Sequence, residues 1–335
     1  MDLDVRTGLA AWRIENPTAR IQQKVGTCRA DYNGVKVSGG FMSVRLIALL
    51  LMALGLAQGA LFGQDALSKA EELYRQTDYK TSLALVAEIA QPNDAAYSLD
   101  GRNYFMLGDY KKATEAFQKA LALEPAKSEY AHWLGRSFGR RAETSSPFLA
   151  ARYASKARAY FEKAVALDPN NEEALNDLFD YYLEAPGFLG GGYDKAQAIA
   201  QRIAERNPAE GHFAQAQLAD SRKQFDTAEE QLRRAIELSP RQVGRLLDLA
   251  RYLAQHGRIQ ESEATFDKAE QLAPNAPKVY FARAGVYVQQ KRNLDRAKAL
   301  LLKYLGSNLT PDDPSREQAK KLLQALELLG EASGA

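Results

Sequence analysis

A short sequence frame recurs along most of this chain, and it limits the folds that the chain can adopt. The clearest copy spans residues 95–125 and has two helix-like stretches separated by Gly108-Asp109. Its frame residues are, in order, Tyr97, Gly101, Tyr104, Gly108, Tyr110, Ala113, Phe117, Ala120 and Pro125. Small residues let two helices approach closely, large ones fill the space between them, and proline cannot continue a helix. One copy of the frame therefore predicts one helical hairpin.

The second half of the frame returns five times after this copy. The matching residues are Ala157, Phe161, Ala164 and Pro169; Ala196, Ala200, Ile203 and Pro208; Ala228, Leu232, Ala235 and Pro240; Ser262, Phe266, Ala269 and Pro274; and Ala297, Leu301 and Tyr304. A degenerate copy precedes them all, with Leu73, Tyr79, Ser82 and Val86. The later copies are spaced by roughly 34 residues, a period typical of stacked helical hairpins.

This frame resembles the tetratricopeptide repeat over residues 65–310. The resemblance implies an all-α fold, a right-handed superhelical α-solenoid of about seven hairpins, and a function in binding another polypeptide. Residues 314–330 form one more amphipathic stretch after Pro311 and Pro314, and we expect it to be a C-terminal helix that caps the last repeat.

The first 60 residues differ from the repeat region. Residues 42–60 begin Met-Ser-Val-Arg, continue as an apolar run from Leu46 to Ala57 and end in small residues, which is the pattern of a secretory signal peptide. The apolar run is short for a membrane span, although an uncleaved N-terminal anchor or a buried helix would also fit it. We therefore expect an exported protein, and we interpret residues 1–41 as a disordered upstream extension that is not native.

Composition argues against several classes of function. The net charge of +2 gives no basic footprint for nucleic acid. The single cysteine, Cys28, cannot form an internal disulfide, and no cysteine–histidine cluster has the spacing of a metal site. Nucleophile-elbow and zinc-protease motifs are missing from the sequence, so we predict that the chain is not an enzyme and needs no cofactor.

The resemblance implies a concave groove lined by the first helix of each hairpin. Carried onto this sequence, the groove positions are Arg102, Phe105, His132, Arg136, Arg140, Phe179, Tyr182, Phe213, Arg251 and Gln255. Arginine binds carboxylates with two parallel hydrogen bonds. We expect the groove to bind an extended peptide that carries acidic residues or a free carboxyl terminus, unless these arginines are simply solvated.

Two consecutive hairpins are longer than the frame allows. The excess lies at residues 143–147 and 186–195, so both insertions are expected at the same edge of the solenoid. The second contains Gly190, Gly191, Gly192 and Lys195, an arrangement that resembles some exported bacterial repeat proteins. Free backbone N–H groups before a helix could bind an anion, although the glycines could equally be a permissive turn.

These observations predict a protein–protein interaction scaffold in the bacterial cell envelope. The alternative function is a receptor for a small ligand or an anion, built on the glycine-rich insertion.

Overall fold

In a computed structural model, which describes residues 64–333, every regular element in that range is a helix. The helices are α1 (residues 64–75), α2 (Tyr79–Ala87), α3 (Asp94–Met106), α4 (Tyr110–Leu123), α5 (Ser128–Glu143), α6 (Pro147–Leu167), α7 (Glu172–Glu184), α8 (Tyr193–Arg206), α9 (Pro208–Ser221), α10 (Phe225–Leu238), α11 (Val243–Gln255), α12 (Ile259–Leu272), α13 (Pro277–Gln289), α14 (Leu294–Leu305) and α15 (Arg316–Ser333). A short 3₁₀ turn at Gly187–Leu189 lies between α7 and α8.

Consecutive helices pair into seven hairpins, from α1–α2 to α13–α14. The first helix of a hairpin also contacts the first helix of the next, as α3 does with α5 and α5 with α7. These side-by-side contacts make the first helices one continuous inner layer, which is the arrangement of a helical-repeat solenoid. The prediction of seven hairpins followed by one terminal helix is therefore confirmed for the described residues.

Local sequence explains where many of the helices begin. The Asp109 carboxylate accepts the Lys112 backbone N–H at 3.1 Å and so caps the start of α4. The Asn171 side chain caps α7 in the same way through the Ala174 N–H. Pro208 follows the end of α8 at Arg206 and is the first residue of α9, where its missing N–H costs nothing.

The frame residues form the core as the sequence predicted. Ala113, Phe117 and Ala120 are fully buried in the second hairpin, and the corresponding residues of later hairpins are buried too. Gly101 lies directly over the Phe117 ring, because a Cβ atom there would come within 2.7 Å of three ring atoms. The absence of a side chain at Gly101 thus sets how closely α3 and α4 approach.

Serine takes the small position of the frame in two hairpins without leaving a buried polar group unpaired. The Ser82 hydroxyl donates to the Ala70 carbonyl at 2.8 Å, and the Ser262 hydroxyl donates to the Ala250 carbonyl at 2.7 Å. Each bond joins the second helix of a hairpin to the first. The degenerate first copy of the frame consequently still folds as a hairpin.

The insertion predicted at residues 143–147 is not a loop. Helices α5 and α6 instead extend to 16 and 21 residues, and only residues 144–146 connect them. Pro147 occupies the first position of α6, where proline favours a helix. The excess length therefore lengthens the hairpin, whose tip leaves Phe148 86% exposed.

The terminal helix α15 packs against the last hairpin. Its Ala319 and Leu326 join a buried cluster with Tyr280, Leu301 and Tyr304 of α13 and α14. This contact covers the apolar face that the last hairpin would otherwise expose. The predicted signal segment at residues 42–60 and the predicted extension at 1–41 lie outside the described residues.

Candidate functional site

The inner layer of first helices encloses a cavity of about 870 Å³. Its walls come from α1, α3, α5 and α7, and from residues 310–312, which follow the last hairpin. The lining side chains with polar or aromatic groups include Glu71, Tyr74, Arg75, Arg102, Glu129, His132, Trp133, Glu172, Glu173 and Asp312. The segment between α14 and α15 thus reaches the first hairpin, and the two ends of the array approach each other across the cavity.

Two of the predicted groove residues, Arg102 and His132, line this cavity. The Arg102 guanidinium lies 5.0 Å from the centre of the Tyr74 ring. His132 is buried, and its Nε2 lies 2.7 Å from a carboxylate oxygen of Asp177 on α7. Both side chains are thus held by neighbouring hairpins.

A carboxyl group also faces the other nitrogen of His132. Its Nδ1 lies 3.7 Å from a carboxylate oxygen of Glu173. Burial raises the pKa of the Glu173 carboxyl, and the nearby His132 and Arg136 side chains oppose that shift. His132 therefore joins α5 to α7 at the wall of the cavity.

The other predicted groove arginines are also occupied by partners within the chain. Arg136 lies 4.4 Å from the centre of the Trp133 ring, and its Nε is 3.7 Å from an Asp177 oxygen. Arg140 forms an ion pair with Glu143, and its Nε lies 3.3 Å from the Tyr110 hydroxyl. These contacts offset the basic character that the sequence predicted for this half of the groove.

Three aromatic groove predictions are wrong, because Phe105, Phe179 and Phe213 are all buried. Phe179 has no exposed surface and belongs to the hydrophobic core. Phe105 is buried edge-to-face against Trp133, with ring centres 5.3 Å apart. A first helix packs on its own partner helix and on both neighbouring first helices, so little of its surface is left to face the groove.

The remaining groove predictions give two different outcomes. The Tyr182 hydroxyl donates to Glu162 of α6 at 2.8 Å, and the Lys195 ammonium lies 5.4 Å from the ring centre. Tyr182 therefore faces second helices rather than the groove, which corrects that prediction. Arg251 is half-buried and donates to the Asp248 carboxylate of its own helix at 2.6 Å.

The glycine-rich insertion is a closed turn, which corrects the expectation of free N–H groups. The N–H groups of Gly190, Gly191 and Gly192 donate to the carbonyls of Gly187, Pro186 and Tyr182 respectively. The outward carbonyls are used as well, because Lys195 donates to the Gly190 carbonyl at 2.9 Å and Arg158 of α6 donates to the Leu189 carbonyl at 3.2 Å. The insertion joins two hairpins, and the geometry gives the anion-receptor alternative no support.

Sequence reasoning did not find several cavity residues. Glu71, Tyr74, Glu129, Trp133 and Glu172 all line the cavity, and none was predicted as a groove position. Glu172 and Glu173 lie in the first turn of α7, where acidic residues interact favourably with the helix dipole, so their sequence position gives no separate signal of a cavity. Both acidic residues line the cavity and also lie at the start of the helix.

Within residues 64–333, no group of histidine, cysteine and acidic side chains is arranged to hold a metal ion. The same range contains no helix that is both long and apolar enough to cross a membrane.

The fold is a solenoid of helical hairpins, and side chains of its first helices line a cavity on the inner face. Sequence profiles of the tetratricopeptide repeat match residues 96–127, 152–171, 190–243 and 247–314. The chain belongs to the tetratricopeptide repeat family. Repeats of this family generally mediate binding to protein partners and its members are generally non-enzymatic scaffolds, so this chain is a protein–protein interaction scaffold.

Solved structures resemble the chain in fold. A tetratricopeptide repeat protein from Parabacteroides merdae is 17% identical, with a TM-score of 0.52 over 80% of this chain and 99% of that one. TTC0263, a thermophilic tetratricopeptide repeat protein from Thermus thermophilus, is 20% identical, with a TM-score of 0.48 over 57% of this chain and 98% of that one. No curated protein matches the sequence.

Proposed function

We propose that the chain is an adaptor that holds a polypeptide segment of a partner protein in its inner cavity. The observation that carries this proposal is the cavity itself, which is built from the first helices of four successive hairpins. A volume of about 870 Å³ lies within the usual range for a ligand pocket and is enough for several residues of an extended peptide. The other edge of the array, where Phe148 and Phe188 are strongly exposed, is the competing docking surface.

Site-specific photo-crosslinking in native cells tests this proposal. A photoreactive residue in place of Arg75, which lines the cavity, is expected to capture a discrete partner protein. The same probe at Phe148 and at Phe188 serves as the control, because both side chains lie at the tips of enlarged hairpins. Crosslinks at the two tips, without any at Arg75, would contradict cavity binding.

We further propose that the protein works in the bacterial cell envelope. The support is the arrangement of residues 42–60, in which a positive charge, an apolar run and small residues follow one another. Fractionation of native cells is expected to recover the protein with the periplasm or the membranes. Deletion of residues 42–60 is expected to move it to the cytoplasm, and an unchanged distribution after that deletion would remove the envelope assignment.

A further inference from the structure

The cavity wall is acidic, contrary to the character predicted for the groove. Five carboxylates line it, namely those of Glu71, Glu129, Glu172, Glu173 and Asp312, against the guanidiniums of Arg75 and Arg102. Arg75 is already engaged by Glu72, at 2.5 Å on the same helix. The charge that faces a ligand is therefore negative.

Three of these carboxylates lack partners. Glu71, Glu129 and Glu172 form no hydrogen bond or ion pair with any residue that the structure describes. Elsewhere in the array, carboxylates between hairpins are neutralised, as Glu210 is by Arg245 and Glu263 is by Arg283. The three cavity carboxylates, of which Glu129 and Glu172 are exposed, are therefore available to pair with a cation in the cavity.

A second observation also indicates a ligand. Tyr74 and Trp133 line the cavity and are each only 7% exposed, yet neither the Tyr74 hydroxyl nor the Trp133 indole N–H has a hydrogen-bond partner among the described residues. Buried tyrosine and tryptophan usually find such a partner within the protein, and neither of these two polar atoms is sealed from solvent, so each is open to a ligand. The backbone carbonyls of a bound peptide would supply the acceptors.

Combining these features, we infer that the cavity recognises a segment of the partner that carries lysine or arginine. This inference rests on the proposed adaptor function and names the chemistry of the partner. The cationic side chains pair with Glu71, Glu129 and Glu172, while Tyr74 and Trp133 donate to the backbone of the segment. Hydrogen bonds between charged groups are shorter and stronger than neutral ones, so the carboxylates determine which segments bind.

Binding of defined peptides to the full-length protein tests the inference. Two fluorescent decapeptides, one alternating lysine with alanine and the other alternating glutamate with alanine, are compared by fluorescence anisotropy. We expect the lysine peptide to bind and the glutamate peptide not to bind. The affinity for the lysine peptide should decrease as salt is raised, because salt screens the charges.

Charge-removing variants locate the binding site. Combined Glu71→Gln, Glu129→Gln and Glu172→Gln substitutions are expected to weaken binding of the lysine peptide at least tenfold. Combined Glu115→Gln, Glu124→Gln and Glu230→Gln substitutions remove three exposed carboxylates outside the cavity and should leave binding unchanged. Thermal unfolding of both triple variants checks that each is folded. Tyr74→Phe, which removes only the hydroxyl, should weaken binding severalfold at every salt concentration.

Several outcomes would overturn the inference. These are failure of the lysine peptide to bind, equal or tighter binding of the glutamate peptide, and unchanged affinity in the cavity triple variant. A crosslink from Arg75 to a partner segment without lysine or arginine would also reject the inference while leaving the adaptor function intact. Absence of any crosslink at Arg75 would instead reject binding of the partner in the cavity, on which this inference rests.

Discussion

At the scale of single residues, glycines in the first helices have opposite roles according to what lies beside them. A Cβ atom at Gly101 would meet the Phe117 ring at 2.7 Å, whereas one at Gly139 would have no neighbour within 4 Å. We expect Gly101→Ala to lower the free energy of unfolding by about 1–3 kcal/mol through overpacking. Gly139→Ala should raise it by about 0.5–1 kcal/mol through better helix propensity. Urea denaturation measures both, and shifts of the same sign would contradict this account of the α3–α4 contact.

Asp100 gives the protein a specific dependence on pH. Burial raises the pKa of its carboxyl to about 6, although Lys119 opposes the shift. The folded state therefore disfavours the ionised form, so the destabilisation is absent below pH of about 4, grows towards pH 6 and is constant above it. Asp100→Asn should be more stable than the parent by about 1 kcal/mol at pH 7, a value discounted for partial exposure. Melting temperatures of the parent and of Asp100→Asn, measured from pH 4 to 7, should move apart between about pH 4 and pH 6 and then keep a constant difference. A constant difference over the whole range would show that the Asp100 carboxyl does not have a raised pKa in the folded state.

The sequence predicted core residues much better than cavity residues. A frame position such as Phe117 is fixed by contacts within one hairpin, so its spacing along the chain is sufficient to find it. The cavity positions depend on how neighbouring hairpins stack, and on α7 the prediction fell on the buried Phe179 instead of on Glu172 and Glu173, which line the cavity. Asp312 shows a further limit, because it comes from a segment far along the chain that returns to the first hairpin.

At the scale of helices, a buried arginine joins the last two hairpins. Arg283 of α13 is almost fully buried, and its guanidinium contacts Glu263 and Asp267 of α12 as well as the Tyr287 hydroxyl. Removing one member of a buried ion pair leaves the other without compensation. We therefore expect Arg283→Ala to cost about 3 kcal/mol of unfolding free energy, because Glu263 loses its buried guanidinium and keeps only Arg292 and the Tyr287 hydroxyl.

The matched control is Arg296→Ala, which removes an exposed arginine in the same hairpin. That change should alter the free energy of unfolding by less than about 0.5 kcal/mol. Guanidinium denaturation distinguishes the two variants. Equal effects would mean that Arg283 contributes little beyond its aliphatic packing.

The two enlarged hairpins show why element type was only partly predictable. Residues 144–147, Thr-Ser-Ser-Pro, have the composition of a loop, but proline is also a good first residue of a helix and α6 begins with it. The glycines at 190–192 allowed either an anion site or a turn; backbone carbonyls of their own hairpin close the turn, and Arg158 of another hairpin adds a contact to it. Neither the helical start at Pro147 nor the hydrogen bonds that use the glycine N–H groups can be read from composition alone.

At the scale of the whole molecule, each hairpin depends mainly on its neighbours. Deletion of residues 314–335 removes α15 and exposes the cluster around Leu301 and Tyr304. We expect hydrogen exchange of backbone amides in α13 and α14 to accelerate strongly, while α3–α8 keep their protection. Uniform acceleration along the chain would show that the array unfolds as one unit.

The meeting of the first hairpin with residues 310–312 has a consequence for ligand binding. Small rotations between successive hairpins add up along a solenoid, so the gap between its ends depends on every interface between them. A peptide that contacts both walls of the cavity would bind only when those rotations together give the correct separation. Such a ligand would convert the stepwise unfolding of a linear array into a single cooperative transition, because it links units that are adjacent in space and most distant in sequence.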